Sequence, residues 1–317
     1  MARTKLFFVT DIHGSDRCFR KFVNAGKFYN ADALILGGDI TGKMIIPLVA
    51  QPDGSRMCEW GGNQYVLKSQ QEIDAITKTI KDSGYYPFLA EPAEVKDLYS
   101  DPARVNQLFK KLMKESIGEW MKLGEERLRG TGIKCYISPG NDDFFEIDEA
   151  LNSSTYIVNP EEKVVDIDGE HEMLTLGTTN HTPWNSPREV DESALEDKIE
   201  KLVSQIKNMN SAIFNIHVPP IDTIIDQAPK LDENLKPVTS GGHMLMTSAG
   251  SVAVRNSIER HQPLIGIHGH IHESRGEVKI GKTWCFNPGS EYGSGVLKGF
   301  FCELDKDKIR SHMFTSG

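Results

Sequence analysis

Five short motifs in this chain carry the residue types that bind metal ions. They are Asp11-x-His13, Gly37-Gly38-Asp39, Gly140-Asn141-Asp142-Asp143, His217 and Gly269-His270-Ile271-His272. A mixture of carboxylate, amide and imidazole donors suits Mn, Fe, Zn or Co better than Ca or Mg. Two such ions placed roughly 3.5–4 Å apart promote phosphate-ester hydrolysis, because they bind the phosphoryl oxygens and acidify a water molecule. The residue types therefore favour hydrolytic metal chemistry.

Each motif directly follows an apolar run of the kind that forms a buried β-strand. These runs are residues 6–9, 34–36, 135–137, 213–216 and 264–267. In α/β sheets, ligands bind beyond the carboxyl ends of the strands, so we expect the motifs to meet in a single cleft. There they would form a site for two divalent metal ions as cofactors. The predicted metal ligands are Asp11, His13, Asp39, Asn141, His217, His270 and His272.

Spacing within the motifs agrees with this prediction. Asp11 and His13 are two residues apart, which places both side chains on one face of a strand, and His270 and His272 repeat the pattern. Glycines precede Asp39, Asn141 and His270, so the backbone can approach the cluster closely.

Apolar patterns between the motifs alternate between strand and helix, which favours a layered α/β fold. Helices are predicted at 15–29, 69–82, 102–128, 191–208 and 249–261. Strands are predicted at 4–10, at 33–36 and, with a turn at 168–169, within 155–177. Ser15 and Asp101 are the predicted N-caps of two helices. We expect one domain over residues 1–317.

Residues 43–90 fit this alternation poorly. Turn residues at 52–54 and 61–63 separate two or three short predicted strands, and the helix at 69–82 follows. We interpret segment 43–90 as a small inserted, cap-like subdomain beside the site. Its aromatic residues could stack on a nucleobase or fill a small hairpin core.

The five motifs, in this order, resemble those of the calcineurin-like metallophosphoesterases: D-x-H, G-G-D, G-N-x-D, an isolated His after a strand, and G-H-x-H. The resemblance extends from residue 4 to Ser290. It implies a four-layer α/β/β/α sandwich and a dinuclear centre in which Asp39 bridges the metals. The implied ligands of the first metal are Asp11, His13, Asp39 and His272, and those of the second are Asp39, Asn141, His217 and His270.

One position departs from the commonest form of the family pattern. Many members have His directly after the Asn, where it is thought to contact phosphate and assist the leaving group, whereas this chain has Asp142. Asp142 is thus the candidate catalytic residue beside the ligands. An ionised Asp142 repels a phosphomonoester dianion more than a phosphodiester monoanion, so we expect a preference for phosphodiester or related substrates.

Several other polar residues are weaker candidates. His243 follows a Gly-Gly pair in a long loop and is the candidate substrate-binding residue. His268 is expected to be a structural histidine, and His171, His261 and His312 are expected on the surface. By charge alone, the candidates for phosphate contact are Arg188, Arg255 and Arg275.

Charge and cysteine content limit the class of protein. The net charge of −9 argues against a broad basic face for duplex nucleic acid. Five scattered Cys favour reduced thiols, and the apolar runs are too short for a signal-peptide core or a bilayer span. We expect a cytoplasmic protein that acts on a small-molecule or nucleotide phosphate ester, without a stable nucleic-acid complex or a membrane. The oligomeric state is left open.

The leading functional prediction is a dinuclear metal-dependent phosphoesterase that hydrolyses a phosphodiester or nucleotide-like ester by attack of a metal-activated hydroxide. Among enzymes, the alternatives are a phosphomonoesterase, including a protein phosphatase, and a mononuclear hydrolase. From a different class, the alternative is a non-catalytic binding scaffold on the same fold. Tightly bound metal without turnover would favour the scaffold.

Overall fold

Two large β-sheets lie face to face in the computed structural model, which describes residues 3–317. The strands of the first sheet, in spatial order, are Lys308–Ser316, Lys298–Asp305, Thr4–Val9, Ala33–Gly37 and Lys134–Ser138. Those of the second sheet are Gly276–Ile280, Thr283–Asn287, Ile265–Ile267, Ile213–Ile216, Glu172–Leu176 and Lys163–Asp166. Three neighbouring strands of the first sheet and four of the second run parallel, and the remaining strands pair antiparallel.

Seven α-helices connect or flank the strands within the described residues 3–317. They are α1 (Asp16–Phe28), α2 (Gln70–Asp82), α3 (Pro92–Ser100), α4 (Pro102–Leu128), α5 (Asp148–Leu151), α6 (Glu192–Val203) and α7 (Val252–His261). Single turns of 3₁₀-helix lie at Phe145–Ile147, Met209–Ser211 and Tyr292–Ser294. Among residues 3–317, none of the helices combines the length with the apolar character that crossing a membrane requires.

Side-chain alternation along the strands divides the apolar residues into layers. Leu6 and Phe8 point between the sheets, where they join Ile213 and Phe286 in one buried cluster. Phe7 and Val9 of the same strand point the other way and pack against α1 and α4. The outer face of the second sheet packs against α6 and α7. The predicted four-layer α/β/β/α sandwich is therefore confirmed.

The parallel strands of each sheet end in register. Val9 pairs with Leu36, and Leu36 pairs with Ile137, in the first sheet. In the second sheet, Asn215 pairs with Ile267. Because the strands stop at the same level, the loops that follow them leave from one edge of the sandwich.

Local sequence determines where the predicted helices begin. The Ser15 hydroxyl accepts a hydrogen bond from the backbone N–H of Cys18, and the Asp101 carboxylate accepts one from Ala103. Pro102 occupies the first position of α4, where its missing N–H costs nothing. The predicted caps and the predicted helices at 15–29 and 102–128 are therefore confirmed.

Residues 45–90 form a separate sheet of four strands with α2 beside it. Its spatial order is Asn63–Leu67, Arg56–Trp60, Ile45–Ala50 and Tyr86–Ala90. Ile46, Leu48, Cys58, Ile76 and Ile80 form its own apolar cluster. The strand after α2 was not predicted, since it pairs in parallel with a strand about 40 residues earlier. That this segment caps the site stays a prediction.

Three boundaries differ from those predicted. The strand region predicted at 155–177 contains only Lys163–Asp166 and Glu172–Leu176. Helix α6 ends at Val203 instead of 208, and α7 begins at Val252 instead of 249, after the N-cap Ser251. Helix α3 was not predicted, and its residues contribute nothing to the buried core.

Candidate metal centre

The seven predicted ligands lie in the loops that leave the carboxyl ends of the parallel strands. Three first-sheet strands are followed by Asp11 and His13, by Asp39 and by Asn141. Two second-sheet strands are followed by His217 and by the pair His270 and His272. The two sheets thus supply ligands from opposite sides of one cluster, as the strand-end argument predicts.

The backbone of the cluster is unusual. Asp11, His13, Asp39 and His270 all adopt left-handed conformations, with φ values of 53°, 38°, 49° and 68°. Such conformations are unfavourable for residues other than glycine, and they concentrate at functional sites where neighbouring contacts enforce them. Here the N–H of His270 donates to the Asp11 carboxylate at 3.0 Å, and the N–H of His13 donates to the Asp39 carbonyl at 3.0 Å.

Gly140 allows the Asn141 loop to touch the Asp39 loop. A Cβ atom at residue 140 would lie 2.3 Å from both the backbone nitrogen and Oδ1 of Asp39. Only glycine therefore permits this approach. The buried Asp143 carboxylate fixes the same contact, because it accepts hydrogen bonds from Gly140 at 2.7 Å and from Thr41 at 2.8 Å.

The first group of donors consists of Asp11, His13 and His272. One ligand atom from each lies within 4.8 Å of the other two. Nε2 of His272 is 3.0 Å from Nε2 of His13 and 3.4 Å from Oδ1 of Asp11. Two imidazole nitrogens and a carboxylate oxygen therefore face a common point.

The second group consists of Asp39, His217 and His270, whose ligand atoms also lie within 4.8 Å of one another. Nε2 of His217 is 3.3 Å from Oδ1 of Asp39, and Nδ1 of His270 is 2.8 Å from Oδ1 of Asn141. The other carboxylate oxygen of Asp39 lies 3.7 Å from Nε2 of His13. Asp39 therefore stands between the two groups with one oxygen toward each.

The buried imidazole of His217 is oriented as a ligand. Its Nδ1 lies 2.9 Å from the Gly37 carbonyl, which can only accept, so Nδ1 carries the hydrogen of this bond. Its Nε2 is buried and forms no hydrogen bond with any residue in 3–317. A backbone carbonyl that fixes the tautomer and a free second nitrogen are typical of a metal-ligating histidine. The donor set therefore fits divalent metal ions.

The electrostatics of the cluster favour a bound cation. Burial is the largest influence and raises the pKa values of Asp11 and Asp39, but the neighbouring basic side chains, His217 first among them, together outweigh burial. The pKa of Asp11 falls to about 2, and that of Asp39 falls well below its ordinary value. Burial lowers the pKa of His217, whereas Asp39 and Asp11 raise it to about 10 overall. Two ionised, buried carboxylates thus require a positive charge beside them, which a proton on His217 Nε2 provides without metal and which divalent cations would provide in its place.

Asp142, the predicted catalytic residue, lies at the edge of this cluster. A carboxylate oxygen of Asp142 lies within 4.8 Å of ligand atoms of His13 and Asp39. Its carboxylate forms an ion pair with Lys43 and accepts a hydrogen bond from the Ser186 hydroxyl at 2.5 Å. The negative charge of Asp142 is therefore offset by a neighbouring cation.

Lys43 and Tyr292 were missed by sequence reasoning. Burial lowers the pKa of Lys43, but the negative charges of Asp39 and Asp142 outweigh burial and raise the pKa overall. Lys43 therefore stays positively charged. The ring of Tyr292 lies 4.7 Å from that of His13. Lys43 is a basic residue four positions after Asp39, in a loop that carries a predicted ligand, and this position could have suggested its place at the site. Tyr292 follows the final strand and had no comparable indication.

The weaker candidates lie outside the cluster or have structural partners. His243 is exposed on the hairpin of Thr239–Ser240 and His243–Met244, and its role in substrate binding stays a prediction. His268 is buried, with Nδ1 2.8 Å from the Ile216 carbonyl. His171, expected on the surface, is buried with an exposure of 2%.

Arg188 has a structural role instead of an open phosphate-binding position. Its buried guanidinium donates to the Asp143 carbonyl at 2.7 Å and to Asp148 Oδ1 at 2.5 Å. Arg255 donates to the Ile221 carbonyl at 2.8 Å. The contacts of Arg188 already use donors that a phosphate group would need.

Comparisons with known proteins support the fold. No family model matches the chain. An uncharacterized protein of Methanocaldococcus jannaschii is 34% identical over 152 residues, which cover 47% of this chain and 61% of that relative. The chain thus spans less than two thirds of the relative it matches.

Two solved structures share the architecture over nearly the full chain. One crystal structure, 18% identical, aligns over 98% of this chain and 99% of its own chain with a TM-score of 0.56. The crystal structure of TT1561 of Thermus thermophilus, 13% identical, aligns over 100% and 99% with a TM-score of 0.54. At these identities the likeness concerns the fold alone.

Proposed function

We propose that this protein is a metal-dependent phosphoesterase that hydrolyses a phosphodiester or nucleotide-like phosphate ester. The observation that carries the proposal is the position of Asp39 between two groups of histidine and carboxylate donors. Divalent ions bound as a pair supply positive charge for the phosphoryl oxygens and lower the pKa of a water molecule. Mn, Fe, Zn and Co match these donors.

The side chains of the cluster divide the remaining tasks. The Gly37 carbonyl fixes the His217 ring, and the contact of Asn141 with His270 places an oxygen donor beside a nitrogen donor. The backbone N–H of Asp142 donates to Asp39 Oδ1 at 3.0 Å and so orients that carboxylate. A preorganised set of this kind holds reacting groups in place without reorganisation during the reaction.

The Lys43–Asp142 pair supplies a charged edge on which a phosphate group can be positioned. The Lys43 ammonium offers positive charge to a phosphate oxygen, while the carboxylate disfavours an additional negative charge. A phosphodiester carries one negative charge, and a phosphomonoester carries nearly two near neutral pH. This difference supports a preference for diesters over monoesters.

A combined metal and substrate assay tests the proposal. The metal-free protein is reloaded with each of the four metals, its metal content is measured by elemental analysis, and turnover is compared for p-nitrophenyl phosphate and bis(p-nitrophenyl) phosphate. We expect two ions per chain and a higher kcat/KM for the diester. A clear monoester preference contradicts the substrate assignment. One ion per active chain contradicts the pair, and bound metal without turnover contradicts the enzyme.

A further inference from the structure

A cleft of about 510 Å³ adjoins the candidate metal centre on the side of Asp142. Lys43, Asp142 and Ser186 give part of its lining a polar and charged character. The side chains of Phe109, Phe144 and Trp184 form an aromatic part of the same lining. One cleft thus combines a cation beside the metal centre with several aromatic rings.

The loop that carries Trp184 is fixed to the metal centre. The Ser186 hydroxyl donates to Asp142 at 2.5 Å, and the backbone N–H of Trp184 donates to the Thr182 hydroxyl at 3.2 Å. The Thr182 hydroxyl in turn donates to Glu189 Oε1 at 2.6 Å, and this oxygen lies 3.4 Å from Nδ2 of Asn141. This wall of the cleft is therefore positioned by the same residues that position a predicted ligand.

Trp184 presents apolar surface that the fold does not use. Trp184 is 64% exposed as a residue, and within residues 3–317 no aromatic ring stacks on it. By contrast, Phe109 and Phe144 are partly buried and face each other edge to face at 6.3 Å. An exposed indole beside a charged site is suited to a ligand that is planar at one end and anionic at the other.

We propose that this cleft is the subsite for a planar aromatic ester group of the substrate, with its ring stacked on Trp184 and its phosphate beside Lys43. The inference rests on the proposed phosphoesterase function, because the cleft matters only if phosphorus is held at the adjoining centre. Stacking of one base on an aromatic side chain changes affinity by roughly 5- to 150-fold. The subsite would therefore select aromatic esters over aliphatic esters of the same size.

Binding of two inert phosphonates tests the subsite. Phenylphosphonate and cyclohexylphosphonate have rings of similar size, but only the first ring is planar and aromatic. Their dissociation constants are measured by calorimetry on the full chain loaded with Mn²⁺. We expect the wild type to bind phenylphosphonate roughly tenfold more tightly, toward the lower end of the stacking range. Equal affinities for the two ligands, or failure to bind either of them, overturn the proposal.

Three variants test whether a preference for phenylphosphonate over cyclohexylphosphonate depends on Trp184. We expect Trp184→Ala to remove the preference and Trp184→Phe to keep part of it, because phenylalanine retains an aromatic face. Tyr99→Ala is the matched control, since Tyr99 on α3 is 60% exposed and does not line the cleft. A preference that survives in Trp184→Ala overturns the assignment. If Trp184→Ala does not fold, Trp184→Phe and Tyr99→Ala are compared instead. Loss of the preference in both of these variants also overturns the assignment to Trp184.

Turnover distinguishes failure of the subsite from failure of the proposed function. If the wild type prefers phenylphosphonate but hydrolyses no phosphate ester, the aromatic selectivity of the cleft stands, but its assignment to an ester substrate fails together with the phosphoesterase proposal. If it hydrolyses esters but binds both phosphonates equally, the phosphoesterase proposal stands and the subsite is rejected.

Discussion

Oδ1 of Asp39 lies 3.3 Å from Nε2 of His217, and that nitrogen is buried without a hydrogen bond among residues 3–317. The second oxygen of Asp39 faces His13. A carboxylate in this position can serve two ions at once, whereas a carboxamide has only one oxygen to offer.

We therefore expect Asp39→Asn to lower the metal content from two ions per chain to one or fewer. Loss of a group that only orients a ligand costs about 10–100-fold in affinity or activity, so loss of the shared ligand should lower kcat/KM by more than about 100-fold. Elemental analysis and diester kinetics measure both effects. Asp74→Asn on α2 is the control, because Asp74 is exposed and distant in sequence from every predicted ligand. Two tightly held ions and near-normal turnover in Asp39→Asn would refute the bridging role.

Much of the cluster could be predicted because each ligand depends on a strand that immediately precedes it. The apolar run before Asp39 forms Ala33–Gly37, and that strand alone determines where Asp39 emerges. The same holds for His217 after Ile213–Ile216. Parallel pairing then brings the strand ends together without further information from the intervening sequence.

Residues defined by long-range contacts could not be predicted in this way. His171 follows a surface turn, but Nε2 of its ring lies 2.9 Å from the carbonyl of Asp305, which is 134 residues later. Lys43 reaches Asp142 across 99 residues, and Arg188 reaches Asp143 across 45. Contacts between residues so far apart in sequence leave no local periodic pattern. The charge of a residue such as Lys43 or Arg188 therefore does not reveal its role.

The buried His171 links the two sheets, and this contact predicts a pH dependence of stability. Its Nδ1 lies 2.6 Å from Asp168 Oδ2, and its Nε2 lies 2.9 Å from the Asp305 carbonyl. Both nitrogens face acceptors, which favours the doubly protonated ring. Burial lowers the pKa of His171, but the hydrogen bonds to Asp168 and Asp305 raise it overall.

A folded-state pKa above the unfolded value of about 6.5 stabilises the protein fully below that pH. The contribution is lost as the pH rises through the folded-state pKa of His171. We expect His171→Gln to lower the free energy of unfolding by about 1–3 kcal/mol at pH 6 and by less at pH 9. Urea unfolding at both pH values measures the difference.

His261→Gln is the control for this experiment. His261 lies 2.9 Å from Glu200 at the protein surface, where such pairs are worth about 0–1 kcal/mol. A destabilisation by His171→Gln that is the same at both pH values would show that the imidazolium charge does not contribute.

Lys43 provides a test of phosphate positioning. Hydrogen bonds to charged groups contribute about 1.5–3 kcal/mol, so Lys43→Ala should raise KM for bis(p-nitrophenyl) phosphate by about tenfold or more. We expect a smaller change in kcat, and partial recovery of KM in Lys43→Arg. Steady-state kinetics separate these effects.

Lys198→Ala is a closely matched control for Lys43→Ala. The Lys198 side chain is 35% exposed and paired with Glu162, while the Lys43 side chain is 38% exposed and paired with Asp142. Both substitutions remove one lysine and leave one carboxylate without its partner. Similar kinetic effects in the two variants would contradict a specific role for Lys43 at the site.

Asp142 can be tested for its effect on substrate preference by substitution with histidine. An imidazole titrates near neutral pH and can donate a proton to a leaving group, which the ion-paired carboxylate is poorly placed to do. General-acid assistance raises the rate by about 10²–10⁴-fold in an evolved site. Because the neighbours of a newly introduced histidine are not arranged for this role, we expect Asp142→His to raise kcat/KM for phenyl phosphate by only about tenfold.

Comparison of leaving groups and of an isosteric variant separates proton donation from removal of charge. p-Nitrophenolate leaves without much assistance, so its monoester should gain less from Asp142→His than phenyl phosphate does. Asp142→Asn removes the negative charge without supplying an acid, and it should raise turnover of both monoesters to a similar, smaller extent. Equal gains in the Asn and His variants would mean that Asp142 acts through its charge. No gain in either variant would mean that Asp142, already neutralised by Lys43, does not determine the preference between monoesters and diesters.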